Sequence, residues 1–192
     1  MNLPKVIRLH VDCEFTDFIN QDLISIGVAA DNGDEFYGIN SEYLKPWASA
    51  WVNENVVPLL DLDKYGMKRL ELSSRLWSWV EELPCDFVIW CSDYRGDLEL
   101  LDQLFDEDKH PKTIGLENIF NNMYYSISEQ VKTMGGSDTD YEQRVKTAKT
   151  RFEHYVTDYF CRTKENVHHA LSDAKANREA YSRLVSEMGI PK

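Results

Sequence analysis

Residues 5–40 read KVIRLHVDCEFTDFINQDLISIGVAADNGDEFYGIN. Lys5 to Cys13 places Val6, Leu9 and Val11 in an apolar, β-branched run, which reads as a central strand. Asp22 to Ala30 reads as a second strand and Glu35 to Asn40 as a third. Between the last two stands Asp31-Asn32-Gly33-Asp34, and Asn-Gly tolerates the positive φ that a tight hairpin turn demands. Three strands joined by short connections make an antiparallel meander.

Downstream, Pro46 opens a helix carrying Trp47, Trp51 and Asn55. Ser73-Ser74 introduces another, with Leu76, Trp77, Val80 and Leu83 at helical spacing, and Pro84 stops it. Asp86 to Cys91 is a short, continuously apolar strand of the kind buried on both faces, and Gly96 to Phe105 is a helix packing through its leucines. Thr113 to Ile119 is a fifth strand. From Asn121 to Phe160 the pattern is helical, broken at Gly135-Gly136-Ser137, and Ser172 to Met188 is the last helix, with Gly189 and Pro191 as stop signals. The expectation is an α/β fold in which a mixed five-stranded sheet, a meander of three strands plus two parallel ones, is flanked by helices.

At 192 residues the chain has room for one well-buried domain, so residues 1–192 are expected to form one, with an extended helical region at about 121–160. No run approaches the roughly 18 consecutive apolar residues of a spanning helix, and Met1 to Lys5 is unlike an export signal. The four cysteines, at 13, 85, 91 and 161, form no CxxC pair, which points to reduced thiols in a cytoplasmic protein and not to zinc. The net charge of −12 argues against a uniformly basic nucleic-acid grip. It is uneven: residues 1–140 hold 26 acids and 11 bases, residues 141–192 hold 7 acids and 10 bases. Arg144, Lys146, Lys149 and Arg151 fall in eight residues without an acid, either a solvated helix face or a track for an anionic polymer.

Three clusters carry chemistry. Asp12 and Glu14 lie at the carboxyl end of the first strand, two apart and therefore on one face, with Cys13 on the other. Like charges there persist only with a cation or hydrogen-bond donors between them, and hard divalent cations take oxygen ligands. Asp93-Tyr94-Arg95-Gly96-Asp97 follows the buried strand at a strand-to-helix turn, where open α/β sheets place ligands, although an Asp there also commonly caps a helix. His168-His169-Ala170-Leu171-Ser172-Asp173 crosses from loop into the last helix, so Asp173 can be held rigidly while His168 serves as a movable base; complementing the helix dipole is the structural alternative. Four carboxylates, Asp12, Glu14, Asp97 and Asp173, bring −4, which two divalent ions offset. Two such ions with a histidine near pKa ~6.5 form an arrangement suited to phosphodiester hydrolysis.

With these residues in view, the chain resembles the DnaQ-like 3′-5′ exonucleases of the DEDDh subgroup, which have a ribonuclease H-like fold. Asp12-x-Glu14-x-Thr16, Asp97 in Asp93-x-x-x-Asp97, and His168-x-x-x-x-Asp173 look like that group's three motifs, over roughly residues 5–185. The stretches Asp12 to Gly27, Glu35-Phe36-Tyr37 and Trp51 to Pro58 are most similar to the bacterial adenosine-specific exoribonuclease (RNase AS) type. The resemblance implies a single-stranded RNA substrate, Mg²⁺ or Mn²⁺ as a pair of ions, 5′-mononucleotide products and a homodimer. It also implies that Asp12 bridges both ions, Glu14 and Asp173 complete the first, Asp97 serves the second and His168 is the general base. Many members have Asn where Asp93 stands.

Phe15 and Phe18, just beyond the first motif, are candidates to stack on terminal bases or else to pack in the core, and Tyr94 for a ribose or base contact. Thr16 and His169 complete the candidate substrate contacts, while the tryptophans at 47, 51, 77 and 79 read as core or dimer contacts. Rival readings are the same chemistry on DNA, a non-catalytic nucleic-acid or protein-binding module on the same fold, and a zinc hydrolase using His168 and His169. The last is disfavoured because adjacent histidines rarely converge on one ion.

Overall fold

Val6–Phe15 forms strand β1, and its alternation sets the architecture: Ile7, Leu9, Val11 and Cys13 are buried in one apolar core, while Arg8, His10, Asp12 and Glu14 face the other side of the sheet. The computed structural model describes residues 3–106 and 108–189; the stop signal at Pro191 lies outside them. β1 pairs antiparallel with β2 (Leu23–Ala30), and β2 with β3 (Glu35–Asn40). Gly33, at φ 96°, makes the predicted hairpin turn between the last two. On its other edge β1 pairs parallel with a strand at Phe87–Ser92, which pairs parallel with one at Thr113–Asn118.

The sheet has six strands, not the expected five. The addition is β4, Gly66–Met67, which pairs parallel with β3 at Ile39 and Asn40; two residues carry no periodicity, so only tertiary pairing defines this strand. With the later strands as β5 and β6, the sheet order is β4-β3-β2-β1-β5-β6.

The single helix expected from Pro46 is instead two pieces. A 3₁₀ turn spans Lys45–Trp47, and α1, Ala50–Asn55, starts afresh at Ser49, whose side chain accepts from Val52 N–H. Trp47 and Trp51 remain 47% and 50% exposed, so neither is a core residue. A short α2 (Leu62–Tyr65) precedes α3 (Arg69–Glu82), which begins four residues before Ser73. Trp77 and Trp79 pack at the edge of the first core, Trp77 against Phe105 and Trp79 against Phe36. Leu72, Leu76 and Val80 of α3 and the leucines of α4 (Arg95–Leu104) complete that core.

The opposite sheet face is covered by α5 (Ile119–Thr133), α6 (Asp138–Thr163) and α7 (Ala170–Met188), through Met123, Ile127, Phe152, Ala180 and Leu184. Gly135, at φ 67°, and a capping box between Ser137 and Asp140 turn α5 back into α6. Among the described residues no helix is long and apolar enough to cross a membrane.

Candidate metal centre

Carboxylates from three elements converge at the carboxyl end of β1. Asp12 and Glu14 project from the strand toward α7. There Gly27, paired with Asp12 across β1 and β2, lacks a Cβ that would otherwise run into the backbone of Ala170 and Leu171. The start of α7 therefore lies directly on the sheet, bringing Asp173 in its first turn to the strand carboxylates. Gly27→Ala should push α7 outward and draw Asp173 away from Asp12 and Glu14; the overpacking should cost about 1–3 kcal/mol of stability, which thermal melts check.

Asp97 enters from the first turn of α4 and is buried. Its Oδ1 accepts from Cys13 N–H at 3.3 Å, and its Oδ2 lies 2.6 Å from the Ser92 hydroxyl. Asp93 accepts at Oδ1 from Asn177 on α7, at 2.8 Å. Two sets of ligand atoms result, each lying within 4.8 Å of one another: Glu14, His168 and Asp173 in one, Asp12, Asp93 and Asp97 in the other. Each could hold a metal ion.

Burial, first, and mutual repulsion, second, push these carboxyls upward. Asp12 lies well above its ordinary range, with Asp97, Asp173, Glu14 and Asp93 all contributing. Glu14 is raised to about 8, with Asp173 and Asp97 as the repelling neighbours. Asp97 is raised to about 8 despite its bonds from Ser92 and Cys13, and Asp173 to about 7 despite bonds from the backbone N–H groups of His168 and His169. Burial also raises Asp93. Among the described residues none of the five forms an ion pair with Lys or Arg. Five carboxylates without a cationic partner, Asp97 buried and the others partly buried, offer oxygen donors that fit hard divalent cations.

His168 sits in the left-handed region at φ 64°, an uncommon backbone for a residue with a side chain, and burial lowers its pKa from the ordinary 6.5. Its ring meets the Trp51 ring edge to face, centroids 4.7 Å apart.

A cleft of about 650 Å³ opens over the centre. It is lined by Asp12, Glu14, Asp93, Asp97, His168 and Asp173, so the five acid and base candidates of the sequence meet in one pocket. Phe15, Phe18 and Tyr94 form its rim, with mutual centroid distances of 5.2–6.2 Å, and Phe18 is 75% exposed.

Two proposed substrate contacts lie elsewhere. Thr16 is fully buried, donating to Asn20 O and accepting from Asp22 N–H, so it fastens the loop after β1. His169 stacks on Tyr37, centroids 4.4 Å apart, and does not line the cleft.

The sequence reading missed Asn177, Ser92 and the far wall, where α5 contributes Phe120 and α6 contributes Phe152, Glu153, Val156 and Thr157. Asn177 had a signal: it follows Asp173 by four residues, on the same helix face.

The centre is thus a pair of acidic clusters that could hold metal ions. No family model matches the chain. It is 32% identical over 91 residues to two curated proteins of Mycobacterium tuberculosis, each named a 3'-5' exoribonuclease, one from strain CDC 1551 / Oshkosh and one from strain ATCC 25618 / H37Rv. The alignment covers 38% of this chain and 54% of each relative, so the chain spans about half the length of the curated relatives it matches.

Proposed function

We propose that this chain is a metal-dependent 3′-5′ exoribonuclease of the DEDDh type, on a single domain with a ribonuclease H-like sheet. The observation that carries the reading is the meeting of Asp12, Glu14, Asp93, Asp97, Asp173 and His168 in one cleft. The similarity to proteins named 3'-5' exoribonucleases supports RNA, attacked from its 3′ end, as the substrate.

Asp12, Asp93 and Asp97 would hold one divalent ion, Mg²⁺ or Mn²⁺, and Glu14 and Asp173 the other. Such ions, when bound, supply positive charge that offsets the carboxylates and stabilises charge developing on a phosphate. The chain's own groups do the rest. His168, whose pKa partial burial lowers, can take a proton from an attacking water at an imidazole nitrogen. Phe15, Phe18 and Tyr94 stack on the terminal bases and hold the 3′ end over the carboxylates. Ser92, Cys13 and Asn177 fix the rotamers of Asp97 and Asp93. A homodimer belongs to the same proposal, with Ile114 and Leu116 exposed on β6 at the sheet edge.

Single-stranded RNA labelled at either end and incubated with Mn²⁺ or Mg²⁺ tests the reading. A 3′ label should leave as mononucleotide while a 5′ label moves down a ladder. Internal cuts, or cutting that survives a chelator, would overturn it. In the same assay His168→Ala should lose on the order of 10²- to 10⁴-fold in rate. Calorimetry should find divalent binding to that variant largely kept, because the carboxylates remain.

A further inference from the structure

The four basic residues from Arg144 to Arg151 fall on two sides of α6, although Lys146 and Arg151 both line a groove of about 760 Å³ together with Glu142. Arg144 and Arg151, seven residues apart, lie along one side of α6, where Arg144 Nη1 meets Met134 Sδ at 3.6 Å and Arg151 pairs with Glu187 of α7 at 3.2 Å. Lys146 and Lys149 lie on another. The series 146, 149, 153, 157 advances by three, four and four residues, which is one face of a helix, and Glu153 and Thr157 line the catalytic cleft. The two lysines therefore continue the cleft wall upward by successive turns.

α5 mirrors this progression. Phe120 lines the cleft and Tyr124 follows one turn on, with ring centroids 6.2 Å apart and planes 25° apart. Lys149 Nζ sits 5.3 Å over the Tyr124 ring, which holds the ammonium at the seam between the helices. Among the described residues neither Lys146 nor Lys149 forms an ion pair with a carboxylate. Two ammonium groups without ion pairs thus follow one another along this face beyond the cleft, set between Glu142 and Glu153.

We propose that the α5–α6 seam is the track for the body of a single-stranded nucleic acid whose 3′ end lies in the cleft, with Lys149 and Lys146 meeting successive backbone phosphates and Phe120 facing the first bases to leave the carboxylates. The proposal rests on the nuclease reading above and adds to it a path and a dependence on strand length. Two arguments select this occupant: the seam is continuous with the cleft, and its two ammonium groups, held on successive turns and in no ion pair among the described residues, complement successive phosphates.

The test is equilibrium binding of a hydrolysis-resistant phosphorothioate strand in Mg²⁺, by fluorescence anisotropy over a range of salt. Each phosphate contact with a single strand contributes about 0.7 to the slope of log K against log salt. Lys146→Ala/Lys149→Ala should therefore flatten the slope by about 1.4. Arg75→Ala/Arg144→Ala, with the same change of net charge at positions off the seam, should leave it unaltered. Equal flattening by both pairs, no flattening by the lysine pair, or competition by polyglutamate as strong as by the unlabelled strand would overturn the track. Hydrolysis of a dinucleotide by the wild-type protein in Mn²⁺ tests the nuclease reading separately. Hydrolysis with an unaltered lysine-pair slope sinks the track alone, and lysine-dependent binding without hydrolysis sinks the nuclease reading alone.

Discussion

Asp12→Asn is expected to leave less than about one thousandth of the hydrolytic rate while making the metal-free protein more stable at pH 8. The first effect follows from its place in the centre. Losing the carboxylate crowded by all four others removes several kcal/mol of metal-derived charge stabilisation, and about 4 kcal/mol corresponds to roughly 10³-fold. The second follows from the same crowding read without metal. Asp12 is held among Asp97, Asp173, Glu14 and Asp93, all of which disfavour its charge. An amide of the same shape removes that repulsion and retains hydrogen-bonding capacity. A gain of about 1–2 kcal/mol would raise the melting temperature by roughly 2–8 °C for a chain of this size. Turnover and thermal melts in chelator, run on one preparation, check both. A rate lost together with a lowered melting temperature would mean that Asp12 is structural.

The metal-free protein is expected to lose stability as pH rises from about 4 to about 8, and a divalent cation to reverse the loss. Glu14 moves from an ordinary 4.5 to about 8, Asp97 from 3.8 to about 8, and Asp173 from 3.8 to about 7, each principally by burial. Between those limits the folded state binds more protons than the unfolded one, so stability falls with rising pH. The contribution of these groups is fully present below the unfolded pKa values and is lost above the folded ones. Metal uptake must displace the same protons, so affinity should rise across the same window and binding should acidify a weakly buffered solution. A cation at a hundred times its dissociation constant adds about 2.7 kcal/mol, or roughly 5–10 °C in melting temperature. Melts from pH 4 to 8, with chelator and with Mg²⁺ or Mn²⁺, decide the matter; a flat profile in chelator would refute the electrostatic account.

The meander and the pairing of the strand carboxylates were legible in the sequence because each rests on a short-range rule. Asn32-Gly33 forces a hairpin, and the two-residue spacing of Asp12 and Glu14 forces them onto one face of β1. What escaped depends on distant partners. β4 exists only because Ile39 and Asn40 accept it as a neighbour. The helix expected from Pro46 divides because Ser49 caps a new one at Val52, while Ser49 N–H also donates to Thr16 O. Thr16 passed for a substrate contact because a motif records position but not which backbone groups a hydroxyl serves. The α5–α6 wall was invisible for the same reason: an amphipathic pattern tells which side of a helix is covered, not which cleft its margin borders.

Gly27 and the seating of α7 against β2 also govern timing. Translation runs from the amino terminus, so the strands bearing Asp12 and Glu14, and the helix bearing Asp97, leave the ribosome well before His168, Asp173 and Asn177. A growing chain can assemble much of its sheet yet lacks the side chains that finish the pocket. By the nuclease reading, an enzyme able to digest RNA would stay harmless to the message encoding it until its last described helix has been made and docked.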